Sequence, residues 1–180
     1  MNFVEPIRDK VKIKQMKKLL KKQSRRNQFL FVLGINTGLR ISDLLRLKVG
    51  DVRGKSHILI TEKKTGKRKR FKINAKLRKQ IDKYTASMQA DEYLFASKKR
   101  PAPITRVRAY QIINGAARKV GLSEIGTHTL RKTFGYHFYQ RTKDVATLQM
   151  IFNHSHPSIT LRYIGINQDL MDQAVDDFSL

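Results

Sequence analysis

The run "QFLFVLGINTG", residues 28 to 38, limits the fold more than any other stretch of the chain. Phe29, Leu30, Phe31, Val32, Leu33 and Ile35 leave almost no polar face, so a helix here has to be enclosed by other elements. It is too short to cross a bilayer, which takes about 20 apolar residues. Gly38 is placed to end it in the left-handed conformation that favours glycine. The preceding residues carry Val11, Ile13, Met16, Leu19 and Leu20 at helical spacing among lysines, which predicts an amphipathic helix packed on the buried one. The following "RISDLLRLKVGDV" predicts a short helix, ended near Gly50, with Ile41, Leu44, Leu45 and Leu47 turned inward.

The period then changes. "HILITEKKTGKRKRFKI" holds two β-prone runs, His57 to Thr61 and Arg70 to Ile73, around a Thr65-Gly66 turn, and reads as a hairpin with a very basic tip. Helical patterns resume over about 75–88, 105–120, 129–141 and 144–153, then near 158–163 and 168–178. The expectation is a mainly α fold with one small antiparallel β-hairpin (α+β). No repeat or long linker divides the chain, so residues 1–180 read as one domain.

The net charge narrows the partner. Thirty-eight Lys and Arg stand against 14 Asp and Glu, a formal charge of +24 on a chain of 180 residues. With 40% hydrophobic residues this is no disordered basic tail, and a folded domain so charged points to a polyanion, DNA or RNA. A membrane surface fits poorly, because every basic amphipathic stretch has a folded-core explanation. The absence of cysteine excludes disulfides and Cys-ligated zinc. With no secretion signal, a cytoplasmic, nucleoid-associated protein is expected.

Several residue groups are candidates for chemistry. His128 and Arg131 stand three apart in "HTLRKTF", followed by Lys132, so their side chains share one helix face. Leu130, Phe134 and Phe138 mark that helix as buried, and a fixed arginine there calls for an anion, which a phosphate matches bidentately. Arg40 precedes an apolar helix, and Asp43 three residues on is placed to orient it. Lys63, Lys64, Lys67, Arg68 and Lys69 crowd the hairpin; in isolation such a run is a solvated face that touches phosphates. His154, His156 and Tyr163 fall in "NHSHPSITLRY". Two histidines with no carboxylate or Cys nearby make a weak metal motif, and a tyrosine in an apolar helix is ordinarily core. The few acidic residues show no clustering at metal spacing, so a two-metal nuclease is poorly supported.

The order of these blocks says more than any one of them. "TGLRISDLL", a basic hairpin bearing "KKTGK", then "HTLRKTF", then "NHSHPSITLRY" resembles the catalytic domain of the tyrosine recombinase (phage integrase) family, from about residue 10 to the end. The resemblance implies that Arg40 and Arg131 clamp a phosphate and that Lys64 is the hairpin lysine. It also implies that His128 and His154 occupy the two histidine positions, that Tyr163 is the nucleophile and that Asp43 supports Arg40. The implied activity is site-specific cleavage and rejoining of double-stranded DNA through a 3′-phosphotyrosyl link, with no cofactor and no metal. Lys63, Lys67, Arg68, Lys69 and Lys132 are expected on the DNA backbone. One departure is Asn153 where the family usually has glycine; asparagine is the next-best residue for a left-handed cap.

By the same resemblance the chain begins almost at the catalytic domain, without the usual N-terminal DNA-clamping domain. That leaves room for a separate clamping or accessory protein. It also leaves room for a topoisomerase-like nicking and resealing enzyme, or for a noncatalytic DNA-binding modulator of full-length recombinases. The tail after Ile164 has four aspartates and no Lys or Arg, with Leu170, Met171, Ala174, Val175 and Phe178 at helical spacing. Residues 166–180 are expected to form a helix, folded on its own core or docked on a neighbouring protomer in a DNA-bound tetramer.

Overall fold

In the computed structural model the described residues are 4–61, 66, 68–99, 101–166, 172, 173, 175, 176 and 178. Two helices open the fold, α1 (Lys10–Gln23) and α2 (Arg25–Thr37). Ser24 joins them: its amide closes α1 on the Leu20 carbonyl, and its hydroxyl caps α2 at the Asn27 amide. As the run of apolar residues requires, Phe29 to Leu33 are buried, and Gly38 ends α2 at φ 64°. The stripe on α1 is narrower than expected: Met16 and Leu20 are buried, but Val11 is 60% exposed. It lies in the first turn, beyond the reach of the enclosed helix.

The short helix α3 (Ile41–Arg46) buries Ile41, Leu44 and Leu45, Leu47 is buried just after it, and a 3-10 turn follows at Val49–Asp51. The hairpin is β1 (His57–Thr61) paired antiparallel with β2 (Arg68–Lys72). The register sets Ile58 opposite Phe71, the two residues that bury the strands' inner face. β2 starts two residues earlier than its apolar content indicates, because pairing and not hydrophobicity extends it. Lys63, Lys64 and Lys67 lie outside the described residues.

Helices α4 (Ala75–Thr85), α5 (Arg106–Arg118), α6 (Thr129–Thr142), α7 (Val145–Phe152) and α8 (Pro157–Tyr163) complete the fold. Two apolar clusters result. The larger runs from Ile7 through α1–α5 to Leu130. The smaller has Leu148, Phe152, Ile164 and Ile166 buried, with Phe134, Phe138, Leu161 and Tyr163 packed around them. Helix α6 is wedged between the two. A Cβ on Gly34 of α2 would stand 2.6 Å from Leu130 Cδ1, and one on Gly135 would stand 2.8 Å from the Phe152 ring. Those close approaches let α2 and α7 touch α6 from either side.

Of the expected last helix, Asp172, Gln173, Val175 and Asp176 are helical, while Leu170, Met171 and Ala174 lie outside the described residues. Val175 and Phe178 are exposed.

Candidate DNA-cleavage site

The seam between the two clusters gathers Arg40, His128, Arg131, His154 and Tyr163. Arg131, 3% exposed on the first turns of α6, is anchored at both ends of its fork. Nη1 donates to the Gly38 carbonyl at 2.6 Å and Nη2 to the Phe152 carbonyl at 2.9 Å. Its guanidinium also lies 4.2 Å over the centre of the Phe152 ring. Burial was expected to require an anionic partner; two helix-end carbonyls, which carry partial negative charge, meet part of that requirement instead. Arg40 is the N-cap residue of α3, two residues past Gly38, and its Nη1 is shut off from solvent. Asp43, 3% exposed, lies in the first turn of the same helix.

His128 sits at the N-cap of α6 in a turn built by its neighbours. The Gly126 amide donates to Thr129 Oγ1 at 3.0 Å, and the buried Asn114 side chain donates to the Ile125 carbonyl at 2.8 Å. This turn brings His128 Nδ1 to 3.3 Å from the Tyr163 hydroxyl. Burial and the charges of Arg106, Arg131, Lys132 and Arg40 hold the His128 pKa below the usual imidazole value. A neutral ring with Nδ1 bare can accept the phenolic proton. Tyr163 itself is pushed up by burial, while the cations Arg131 and Arg40 and a hydrogen bond with Arg131 pull it back.

Tyr163 closes α8, and its ring is boxed by aromatics: Phe152 stands edge-on at 5.6 Å and His154 at 5.2 Å. Lys132 Nζ lies 5.2 Å above the ring centre, so this lysine faces the nucleophile candidate. His154 is delivered by the left-handed Asn153 cap (φ 54°), which performs the turn expected of it. Its Nδ1 pairs with Thr160 Oγ1 at 3.0 Å. Burial, with Arg131, Arg40 and Lys69 adding to it, lowers the His154 pKa to about 4. Lys69 on β2 donates to the Ile151 carbonyl at 2.7 Å, which ties the turn-side end of the hairpin strands to the end of α7. Arg68, also on β2, is exposed.

Arg40, Arg106, His128 and Arg131 wall a cavity of about 360 Å³. Arg106 was missed in the sequence. It is the first residue of α5, with Arg108 in the same turn, where the helix dipole disfavours cations. Two arginines at a helix start are the signal that could have exposed it. A larger concavity of about 870 Å³, lined by Arg8, Lys17, Tyr136, His137 and Arg141 among others, holds none of the expected site residues. Among the described residues no group of three His, Asp or Glu is placed to hold a metal. Nor is any helix there long and apolar enough to cross a membrane.

A tyrosine hydroxyl on a histidine that itself lines a pocket walled by arginines is an arrangement for phosphate chemistry. Residues 9–169 match the model of the phage integrase family. The chain is a tyrosine recombinase of that family. It is 54% identical to the probable integrase/recombinase YoeC of Bacillus subtilis (strain 168), over 94% of this chain and 93% of that one. It is 27% identical to the tyrosine recombinase XerA of Pyrococcus horikoshii, over 86% of this chain but only 55% of the relative. The recombinase therefore spans nearly all of one relative and about half of the other. The crystal structure of XerA recombinase superposes with a TM-score of 0.74 at 20% identity, covering 95% of this chain and 64% of that one. XerH bound to its difH substrate gives 0.73 at 18% identity, covering 98% and 54%. Those likenesses establish the fold, a mostly helical catalytic-domain architecture with one two-stranded sheet.

Proposed function

We propose that this recombinase cleaves and rejoins double-stranded DNA through a 3′-phosphotyrosyl intermediate on Tyr163. The observation that carries the reading is the Tyr163 hydroxyl 3.3 Å from His128, beside the cavity walled by Arg40 and Arg131. The scissile phosphate enters that cavity. The Tyr163 oxygen attacks phosphorus as its proton passes to His128, and the bond from phosphorus to the 5′ oxygen breaks. Charge that grows on the nonbridging oxygens meets Arg40 and Arg131, preorganised donors of the oxyanion-hole type. The departing 5′ oxygen takes a proton from Lys64 on the hairpin. Rejoining is the reverse. His154, held neutral, donates one hydrogen bond without adding charge, and Asp43 steadies Arg40. Arginines supply the positive charge, so we propose that no metal is required.

DNA runs over the basic surface through Lys63, Lys67, Arg68, Lys69 and Lys132, with Arg106 beside the scissile phosphate. XerH in its substrate complexes supports DNA as the partner. The acidic tail, residues 166–180, docks on a neighbouring protomer in a DNA-bound ring, and a clamping or accessory protein completes the grip. The site of action is cytoplasmic DNA.

A nicked suicide duplex tests the chemistry. Wild type traps a covalent adduct in the presence of EDTA, and Tyr163→Phe binds DNA without trapping it. An adduct that maps by mass spectrometry to Tyr136 or Tyr139, or persists in the Phe variant, sinks the assignment. Lys64→Ala slows cleavage, and a 5′-bridging sulfur, a better leaving group, restores it. Truncation after Gly165 leaves phosphate binding intact and abolishes assembly on paired sites, as read by light scattering.

A further inference from the structure

The residues before the family match form a strap that the mechanism above does not use. Val4 to Arg8 run from the turn that carries His128 to the turn that follows Tyr163. At the first end, the Glu5 amide donates to the Glu124 carbonyl at 2.9 Å. Val4 covers Gly126, where an added Cβ would lie 3.2 Å from its Cγ2. In the middle, Ile7 is 1% exposed and fastened to α6 through both backbone groups. Its amide donates to Thr133 Oγ1 and its carbonyl contacts His137 Nε2, each at 2.9 Å. Pro6 holds its own φ and keeps Glu5 extended, so the strap is stiff.

At the far end, Arg8 Nη2 donates to the Gly165 carbonyl at 3.3 Å and pairs with Glu5 Oε2 at 3.3 Å. The Arg8 guanidinium lies 5.2 Å over the Tyr136 ring, which fixes its direction. Gly165 sits two residues after Tyr163 at φ 78°, and a Cβ there would come within 2.8 Å of Arg8 Nη2. The Glu5 carboxylate also raises the pKa of Lys132 against the lowering by burial, and Lys132 is the cation above the Tyr163 ring.

We propose that Arg8 is a positioning residue for cleavage: from a strap anchored on α6 it holds the Gly165 carbonyl, and so keeps the turn that ends α8 where the Tyr163 hydroxyl meets His128. The inference rests on Tyr163 as nucleophile. Arg8 touches neither the phosphate nor the reacting oxygen. It acts by limiting how far the end of α8 can swing, and reaction rates are steep in such displacements, with about 1 Å worth up to 10²-fold.

The test compares Arg8→Ala and Arg8→Lys with wild type in two ways. The first is the single-turnover adduct rate on a suicide duplex at saturating protein, with the DNA dissociation constant measured alongside. Arg8→Ala lowers the rate on the order of tenfold and leaves affinity within about twofold, because the loss is one of orientation. Arg8→Lys, whose ammonium still reaches a carbonyl, recovers most of the rate. The second is hydrogen exchange at the Ile164 and Gly165 amides, bonded to Thr160 and Arg162. These exchange faster in Arg8→Ala and near wild type in Arg8→Lys. Full-rate cleavage by Arg8→Ala, unchanged exchange at those amides, or lost affinity with a normal rate at saturation each overturns the inference. If wild type traps no adduct, the proposed function falls, and exchange alone still decides whether the strap restrains the turn.

Discussion

The two arginines and the tyrosine of this recombinase stand on unlike ground. Arg40 and Arg131 grow from the junction of α2, α3 and α6, where some thirty buried side chains form one continuous cluster. Tyr163 and His154 grow from α7 and α8, where, among the described residues, four buried side chains and a ring of half-buried aromatics do the packing. Opening free energy follows buried contact, so the tyrosine side opens at a lower cost than the arginine side. The difference teaches a division of labour under the proposed mechanism: the side assigned to bind the phosphate is fixed, and the side assigned to attack, carry the strand and return is only lightly held.

The sharpest way to break that comparison is at Arg131. Arg131→Ala should lower adduct formation by more than about 10²-fold, as the loss of a preorganised oxyanion donor does. It should also cost about 1–3 kcal/mol of stability through the carbonyls left behind. Arg131→Lys should rescue poorly because the fork is lost. Near-normal cleavage by the lysine variant would move the clamp elsewhere.

Core truncations come next. Leu30→Ala, in the large cluster, should destabilise the whole chain by about 2–5 kcal/mol and lower the midpoint of a single thermal transition. Leu148→Ala, in the small cluster, should act locally. Hydrogen exchange should speed across α7 and α8, and cleavage should fall more than the melting midpoint suggests. Equal exchange throughout in both variants would mean one cooperative unit and no light hold.

A smaller effect is expected at the cavity wall. Arg106→Ala should weaken DNA binding, reduce the slope of log affinity against log salt by about one unit, and let the His128 pKa rise. An unchanged slope would remove Arg106 from the phosphate track.

The smallest effect is one of pH. His154 is neutral in the fold down to about pH 4, while an unfolded histidine takes its proton near 6.5. The unfolded chain therefore binds more protons between those values. This contribution to stability is complete above about pH 6.5 and is lost as pH falls toward about 4. Replacing His154 by glutamine should flatten that part of the stability profile. A slope that survives the substitution belongs to another group, with His128 and His137, both also lowered, the first to check.

How much of this was legible in the sequence also differs between the two regions. The large cluster was readable because α2 carries the unbroken apolar run over 29–33 and α3 is strictly patterned; periodicity reports burial when one face does the burying. Helix α6 mixes Thr129, Arg131 and Thr133 with Leu130 and Phe134, all buried or half-buried, because it is packed from two sides. Its periodicity is thereby blurred: Leu130, Phe134 and Phe138 still marked the helix, and the spacing of His128 and Arg131 marked the site on it. Asn153 was read correctly as a left-handed cap because its requirement is local. Arg106 was missed although its helix-start position was readable; the reach of Lys69 to Ile151 and the strap were not. Both of these depend on a partner far along the chain, which no window of neighbouring residues contains.

The pair of hydrogen bonds from Arg131 to the Gly38 and Phe152 carbonyls has a consequence for the order of events in biosynthesis. The two carbonyls lie 93 residues before and 21 residues after the arginine. Closing the longer loop is entropically slow and waits on the helices between. Tyr163 emerges from the ribosome after every other member of the site. A nascent or half-folded chain thus carries the chemical groups without the geometry, and competence for the proposed cleavage arrives only with the finished tertiary structure.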